Sequence, residues 1–258
     1  MLLKSCFSYN QVMQLRLVRP APLLNTSEFE LVFSGDSPQI AHFECVGLPG
    51  TVLEIAGERG NVLEVRWPFY SDHPLYVDKR FGQTGFFHRP ACAAIPSIKT
   101  LLERMEQRIG ISYVWGGNWA AGISEMLHYY PPKISLSSRA LELWTLKGLD
   151  CSGLLFEASE GTTPRNTSQL IHFGRSVSKA DALKNWEPMD MILYPGHVLF
   201  VRDKETIIES KSPFGVRVCN LQARLEELLE ERIWVDEWSQ KTDPTLAFMA
   251  RRFSHLIS

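Results

Sequence analysis

The spacing of apolar residues changes partway along this chain, and that change limits the folds open to it. Residues 15–90 run in short β-type stretches with turn residues between them: "LRLV", "FELVFSG", "TVLEIAGERGNVLEVRW" and "TGFF". In the longest stretch, Val52, Ile55, Val62, Leu63, Val65 and Trp67 flank a Gly57–Gly60 turn, the pattern of a β-hairpin. Several short strands at such spacing predict a small all-β barrel. The proline-bracketed "RPACAAIPS" at 89–97 reads as a linker, after which helical spacing takes over. Ser97 is placed to cap a helix whose Ile98, Leu101, Leu102, Met105 and Ile109 share one face, with Gly110 as its stop.

Further on, "SSRALELWTLKG" and the shorter "NTSQLIHFG" read as helices. "MILY", "HVLFV" and "TIIES" are β-branched and aromatic runs, and "GVRVCNL" is strand-like with Cys219 in its core. "LQARLEELLEER" is an amphipathic helix with a solvated face, and "TLAFMARRFSHLI" carries apolar residues at 246, 249, 250, 253, 256 and 257. Helices followed by an antiparallel meander predict an α+β unit. The expected organisation is a β-barrel unit over 1–95 and an α+β unit over 96–258. The 258 residues and the 45% apolar content are enough for two soluble cores of unequal size.

Charge and cysteine usage narrow the function classes. A formal net charge of −2 with no basic stripe argues against nucleic acid as a partner. "MILYPGHVLFV", the longest apolar run, is too short and too interrupted to span a bilayer. "MLLKSCFSYNQVMQ" lacks the apolar core of a secretory leader, so no leader is expected there and the cellular location stays open. The five cysteines, Cys6, Cys45, Cys92, Cys151 and Cys219, form no CxxC pair and no metal-type cluster, and read as mostly buried thiols. Neither metal nor organic cofactor is implied.

Within "GLDCSGLLFEASEG" at 148–161, Asp150 is placed to cap a helix whose first turn is Cys151, Ser152 and Gly153. Leu154, Leu155 and Ala158 would then enter the core. A helix N-terminus favours a thiolate and offers free N–H groups to an oxyanion, and the small neighbours leave the sulfur approachable. A lone cysteine in such a place is more often a small buried hydrophobe. A thiol nucleophile also needs a base and a group to orient that base. Of the seven histidines, His197 opens the strand "HVLFV" after a Pro–Gly turn, where side chains emerge at a sheet's rim. A hairpin centred on Asp203 would set His197 opposite Glu209 and Leu199 opposite Ile207.

"YVWGGN", "GLDCSGLLFEAS", "PRNTSQ", "PGHVLFV" and a polar residue twelve positions after the histidine stand here in that order. Over residues 97–212 this ordered set resembles the NlpC/p60 family of papain-like cysteine peptidases, bacterial hydrolases that cut peptidoglycan stem peptides between γ-D-glutamate and a diamino acid. The resemblance implies Cys151 as nucleophile, His197 as general base and Glu209 as the orienting group. It places Tyr113 beside the thiolate near the oxyanion, and Asp150 and Ser152 along the substrate subsites, with Asp150 able to meet a peptide amine. Trp115, followed by two glycines that allow close strand approach, is a packing residue or a substrate contact. Arg165 forms a loop salt bridge or meets a substrate carboxylate. The implied partner is peptidoglycan or a muropeptide. The first unit is similar, by pattern alone, to the bacterial SH3-like domains that often precede such catalytic domains.

Two features depart from the family. Its third triad residue is usually His, sometimes Asn or Gln, whereas Glu209 stands here; a carboxylate there is expected to favour a thiolate–imidazolium pair. The segment between "WGG" and "DCSG" is also much longer than the family's short loop, and its Trp119, His128, Tyr129, Tyr130 and Trp144 would wall the groove or form a surface elaboration with its own core. An amidase or acyltransferase on the same scaffold, or an inactive wall-binding protein, are the alternatives.

Overall fold

The structure is a computed structural model that describes residues 12–71, 73–87 and 93–253. The leader reading, Cys6, Cys92, the first half of the linker and the last five residues lie outside the described residues.

The first half builds a seven-stranded sheet from β1 (Gln14–Leu17), β2 (Ala21–Leu24), β3 (Phe43–Gly47), β4 (Val52–Arg59), β5 (Val62–Arg66), β6 (Leu75–Asp78) and β7 (Gly82–Gly85). Their order is β3-β2-β6-β5-β4-β1-β7, and every pairing is antiparallel. The β4–β5 hairpin is tighter than expected. Arg59 pairs with Val62, so Gly60 and Asn61 alone make the turn, and Gly60 takes the positive φ of 64° that a two-residue turn requires. Gly57 instead marks a register shift inside the strand. "FELVFSG" also departs from its strand reading: Phe29–Val32 is a short helix, α1, whose Phe29 and Val32 share one buried face at helical spacing.

The second half opens with α2 (Ile98–Glu106), capped by Ser97, whose Oγ accepts from the Thr100 N–H at 3.2 Å. Two short strands, β8 (Asn118–Trp119) and β9 (Gly148–Leu149), pair with each other. Between them lie α3 (Met126–Tyr129) and α4 (Ser138–Trp144). Helix α5 (Cys151–Ala158) follows, then α6 (Thr167–Leu170), β10 (Arg175–Val177), α7 (Lys179–Lys184) and the expected meander β11 (Met191–Tyr194), β12 (His197–Val201), β13 (Thr206–Lys211) and β14 (Gly215–Asn220). Helix α8 (Leu221–Glu231), β15 (Ile233–Trp234) and β16 (Ala247–Arg252) complete the described fold. The sheet order is β10-β16-β11-β12-β13-β14, with β15 parallel to β16.

Helices cover both faces of this sheet. Val198, Phe200, Ile208 and Met249 pack with Leu101 of α2 and Leu154 and Leu155 of α5. Leu199, Val201, Ile207 and Phe248 pack with Leu221, Leu225 and Leu228 of α8. Alternate residues therefore enter opposite cores, as strand geometry demands. The same double burial explains β16, whose first four residues are all buried. A continuous apolar run between two helical layers is a central strand, whatever its spacing.

The segment between β8 and β9 does not line the cleft at Cys151 and does not form a core of its own. Ile123, Met126, Tyr130, Trp144 and Leu146 join the core of the first sheet, beside Phe29, Phe33, Phe43 and Phe81. Trp144 donates its Nε1–H to the Tyr130 carbonyl at 2.8 Å, and the Tyr130 hydroxyl donates to Asp78 Oδ2 at 2.6 Å. Asp78 also holds Arg80, whose guanidinium lies 4.2 Å from the centre of the Tyr129 ring. This segment locks the two sheets together. Trp144→Ala should cost about 3–5 kcal/mol, as truncation of a fully buried Trp does; urea unfolding checks this, and a loss below about 1 kcal/mol would show that the junction does not depend on it.

Candidate active site

Asp150 caps α5 as its position in the sequence suggests, accepting the Gly153 N–H on Oδ1 at 2.6 Å. Gly153 is required at its position, because a Cβ there would come within 2.0 Å of the Gly117 carbonyl oxygen. Gly117 is equally confined: its Cβ would meet the Gly148 oxygen at 2.5 Å. The close β8–β9–α5 contact thus fixes where the first turn of α5, and with it Cys151, can sit.

Arg165 is 3% exposed and takes hold of that turn. Its Nη2 lies 2.5 Å from Asp150 Oδ2, its Nη1 donates to Ser152 Oγ at 2.9 Å, and its Nε donates to Asn118 Oδ1 at 3.0 Å. Asn118, fully buried, in turn exchanges two 2.8 Å bonds with the backbone N–H and C=O of Val46 in β3. Arg165 therefore answers as a buried ion pair, and Asp150 is occupied by Arg165 and by the helix cap.

Cys151 opens onto a cleft of about 190 Å³. Tyr113, Trp115, Asp150, Ser152 and Arg165 line it, as do Phe43, Glu44 and Tyr70 from the first half. Trp115 is half exposed at this cleft and does not serve as packing. The Tyr70 hydroxyl donates to Glu44 Oε2 at 2.8 Å, and Asn166 donates to the Tyr70 carbonyl at 3.2 Å, so the wall from the first half is tied to the second. No local pattern in the sequence marks Phe43, Glu44 or Tyr70; only the packing of the two halves brings them to the cysteine.

The Cys151 sulfur lies against the backbone on either side of His197. It donates to the Gly196 carbonyl at 3.8 Å, and the Val198 N–H points at it. Gly196 is itself held by Thr167, whose Oγ1 accepts its N–H at 2.9 Å. His197 Nε2 bonds Glu209 Oε2 at 2.8 Å, and Nδ1 has no hydrogen-bond partner among the described residues. The two side chains meet although the register differs from expectation. Phe200 faces Ile208 and Val201 faces Ile207, two residues displaced, because Asp203 caps the turn through the Glu205 and Thr206 N–H groups and centres it on Lys204. A two-residue displacement keeps each side chain on its face, so His197 and Glu209 remain diagonal neighbours.

Glu209 is fully buried and carries more partners than the histidine alone. Arg217 donates to Oε1 at 2.7 Å, and Arg224 donates to Oε2 at 3.3 Å. Burial acts to raise the carboxyl, but the bonds from His197 and Arg217 and the Arg224 charge overcome it and hold the group at about 2 instead of the ordinary 4.5. The thiol behaves oppositely. Burial first, then the Asp150 carboxylate, push Cys151 up to about 12. The helix N-terminus was expected to favour a thiolate, but desolvation outweighs the dipole and the sulfur rests protonated near neutral pH. Burial likewise raises Tyr113.

Among the described residues there is no group of three His, Cys, Asp or Glu side chains able to hold a metal ion, and no helix long and apolar enough to cross a membrane. No family model matches the chain, and no curated protein matches it. Among solved structures it is similar to an NlpC/P60 family protein from Bacillus cereus ATCC 10987, with TM-score 0.39 and 17% identity over 94% of this chain and 64% of that one. It is also similar to the peptidoglycan hydrolase RipB from Mycobacterium tuberculosis, with TM-score 0.36 and 19% identity over 60% of this chain and 64% of that one. A third is RipD from Mycobacterium tuberculosis, described as a non-catalytic NlpC/p60 domain protein adapted to peptidoglycan binding, with TM-score 0.35 and 19% identity over 49% of this chain and 89% of that one. The chain thus spans 64% of the length of each of the first two.

The Glu209 carboxyl is lowered on folding, so its contribution to stability is complete above the ordinary 4.5 and disappears as pH falls through about 2. Urea unfolding of the protein and of Glu209→Gln should therefore differ most above pH 5, with the difference shrinking steadily toward pH 2. A difference independent of pH would show that the charge on Glu209 is not what stabilises the fold.

Proposed function

We propose that this chain is a cysteine peptidase of peptidoglycan stem peptides, cutting between γ-D-glutamate and the following diamino acid. The observation that supports it most is the position of the Cys151 sulfur, at the floor of an open cleft and against the backbone flanking a histidine whose ring is held by a buried carboxylate. In this reading residues 96–258 form the catalytic unit and residues 1–95 an SH3-like unit that contributes Phe43, Glu44 and Tyr70 to the cleft.

The chemistry runs in two acyl transfers. Sγ attacks the amide carbonyl while its proton passes to the His197 ring, because the thiol rests protonated and the base must take the proton as the S–C bond forms. The oxyanion falls to the Cys151 N–H, in the first turn of α5 where backbone donors have no intrahelical acceptor, with Tyr113 beside it. His197 then gives the proton to the leaving amine, the C–N bond breaks, and a thioester remains. Water deprotonated by the same ring hydrolyses the thioester and restores Sγ–H. Glu209 orients the imidazole; Arg165 fixes Asp150 and Ser152 beneath the substrate; Trp115 offers its exposed face to it.

The test is hydrolysis of L-Ala-γ-D-Glu-meso-diaminopimelate, free and as a muropeptide. Cys151→Ala and His197→Ala should each lower kcat/KM by roughly a thousandfold or more, and Glu209→Gln by roughly ten- to a hundredfold. Undiminished turnover in Cys151→Ala would rule the reading out, and release of intact stem peptides from glycan would make the enzyme an amidase instead.

One observation favours a non-catalytic, wall-binding role: Cys151 is only 5% exposed, and that burial pushes its thiol up to about 12. Alkylation by iodoacetamide separates the two. With the thiol at about 12, the rate at Cys151 should climb continuously from pH 7 to pH 10. A rate already level at pH 7 would mean a preformed thiolate, and a sulfur inert at every pH would favour the binding role.

A further inference from the structure

A carboxylate that is buried and bonded to an imidazole pulls a proton onto the ring and holds it there as a cation. The surroundings of Glu209 act on that tendency. Arg217 lies directly across from it in the β13–β14 ladder and reaches Oε1 through Nη2 at 2.7 Å and Nε at 3.2 Å. Arg224 comes from a different element, α8, with Nη2 3.3 Å from Oε2 and Nε 3.3 Å from Oε1. Each carboxylate oxygen thus faces a guanidinium, and Oε2 is shared with His197.

Arg224 is 5% exposed, and its Nε makes no hydrogen bond. Arg217 stacks on Phe214, whose ring centre lies 4.2 Å from the guanidinium carbon. Arg224 is shared with a second carboxylate, Glu227 of the same helix, which accepts from its Nη1. Cys219 Sγ lies 3.8 Å from Oε1. The Tyr194 ring lies 5.9 Å from the His197 ring and carries Arg232 at 3.7 Å. On the α5 side stand Cys151 and the mutually neutralised Asp150–Arg165 pair.

We propose that Arg217 and Arg224 are positioning residues that hold Glu209 against the His197 ring and offset its charge, so that loss of either guanidinium makes the ring easier to protonate. This rests on the peptidase reading for its consequence, though not for its measurement.

The test follows the His197 ring by NMR titration, without substrate, in the protein and in Arg217→Gln, Arg224→Gln and Arg224→Lys. The midpoint should rise by about 0.5 to 1 pH unit in each Gln variant and stay near its starting value in Arg224→Lys, since removing a nearby positive charge favours protonation of the ring. The acid limb of kcat/KM against pH should move the same way, with KM changed less than about twofold. Arg217 is partly exposed, so Arg217→Gln serves if Arg224→Gln does not fold. An unmoved midpoint in a folded Gln variant overturns the proposal, even if hydrolysis is intact. A moved midpoint in a protein that hydrolyses no stem peptide supports the charge offset and overturns the peptidase reading alone.

Discussion

The buried pair of Asp150 and Arg165 is the contact on which the arrangement of this protein depends. One carboxylate does two jobs: Oδ1 caps the helix that begins with Cys151, and Oδ2 takes the guanidinium. Through Asn118 the same guanidinium reaches the backbone of Val46 in the first sheet. A buried ion pair adds little net stability over apolar packing, but removing either partner leaves an uncompensated charge and costs about 3–5 kcal/mol. Its value is geometric. It allows one registration of helix α5 against β3, and that registration sets Cys151 at the floor of the cleft.

The cleft follows from how the two sheets are joined. The aromatic segment between β8 and β9 packs Tyr130 and Trp144 into the first sheet's core, while its ends pair beside α5. A boundary near residue 95 divides the sequence by periodicity, but the core beneath the first sheet draws on residues as far along as Phe156. The first half is therefore not an appendage, since Phe43, Glu44 and Tyr70 form one wall of the site.

Burial sets opposite protonation states within one site. Around Cys151, burial and the Asp150 carboxylate outweigh the Val198 and Ser152 N–H groups and the Arg165 charge, so the thiol is pushed up. Glu209 is more deeply enclosed yet ionised, because an imidazole and two guanidiniums face it. Desolvation sets the size of the penalty, and the partners decide whether it is met.

Local signals in the sequence determined the helix start at Asp150, the capped helix after Ser97, the strand opening at His197, the meander and the amphipathic α8. Each rests on residues within one turn or one strand, where capping and apolar spacing act directly. Even the meeting of His197 with Glu209 survived a two-residue displacement of the ladder, because pleating conserves the face. Tertiary structure alone decided that Phe29–Val32 is helical and that Ala247–Arg252 is a central strand, since what covers each face overrides local preference. It also decided that Glu44, Tyr70, Arg217 and Arg224 stand at the site, and that Cys151 keeps its proton. Those outcomes depend on groups far apart along the chain and on the water their packing excludes, neither of which spacing within a sequence encodes.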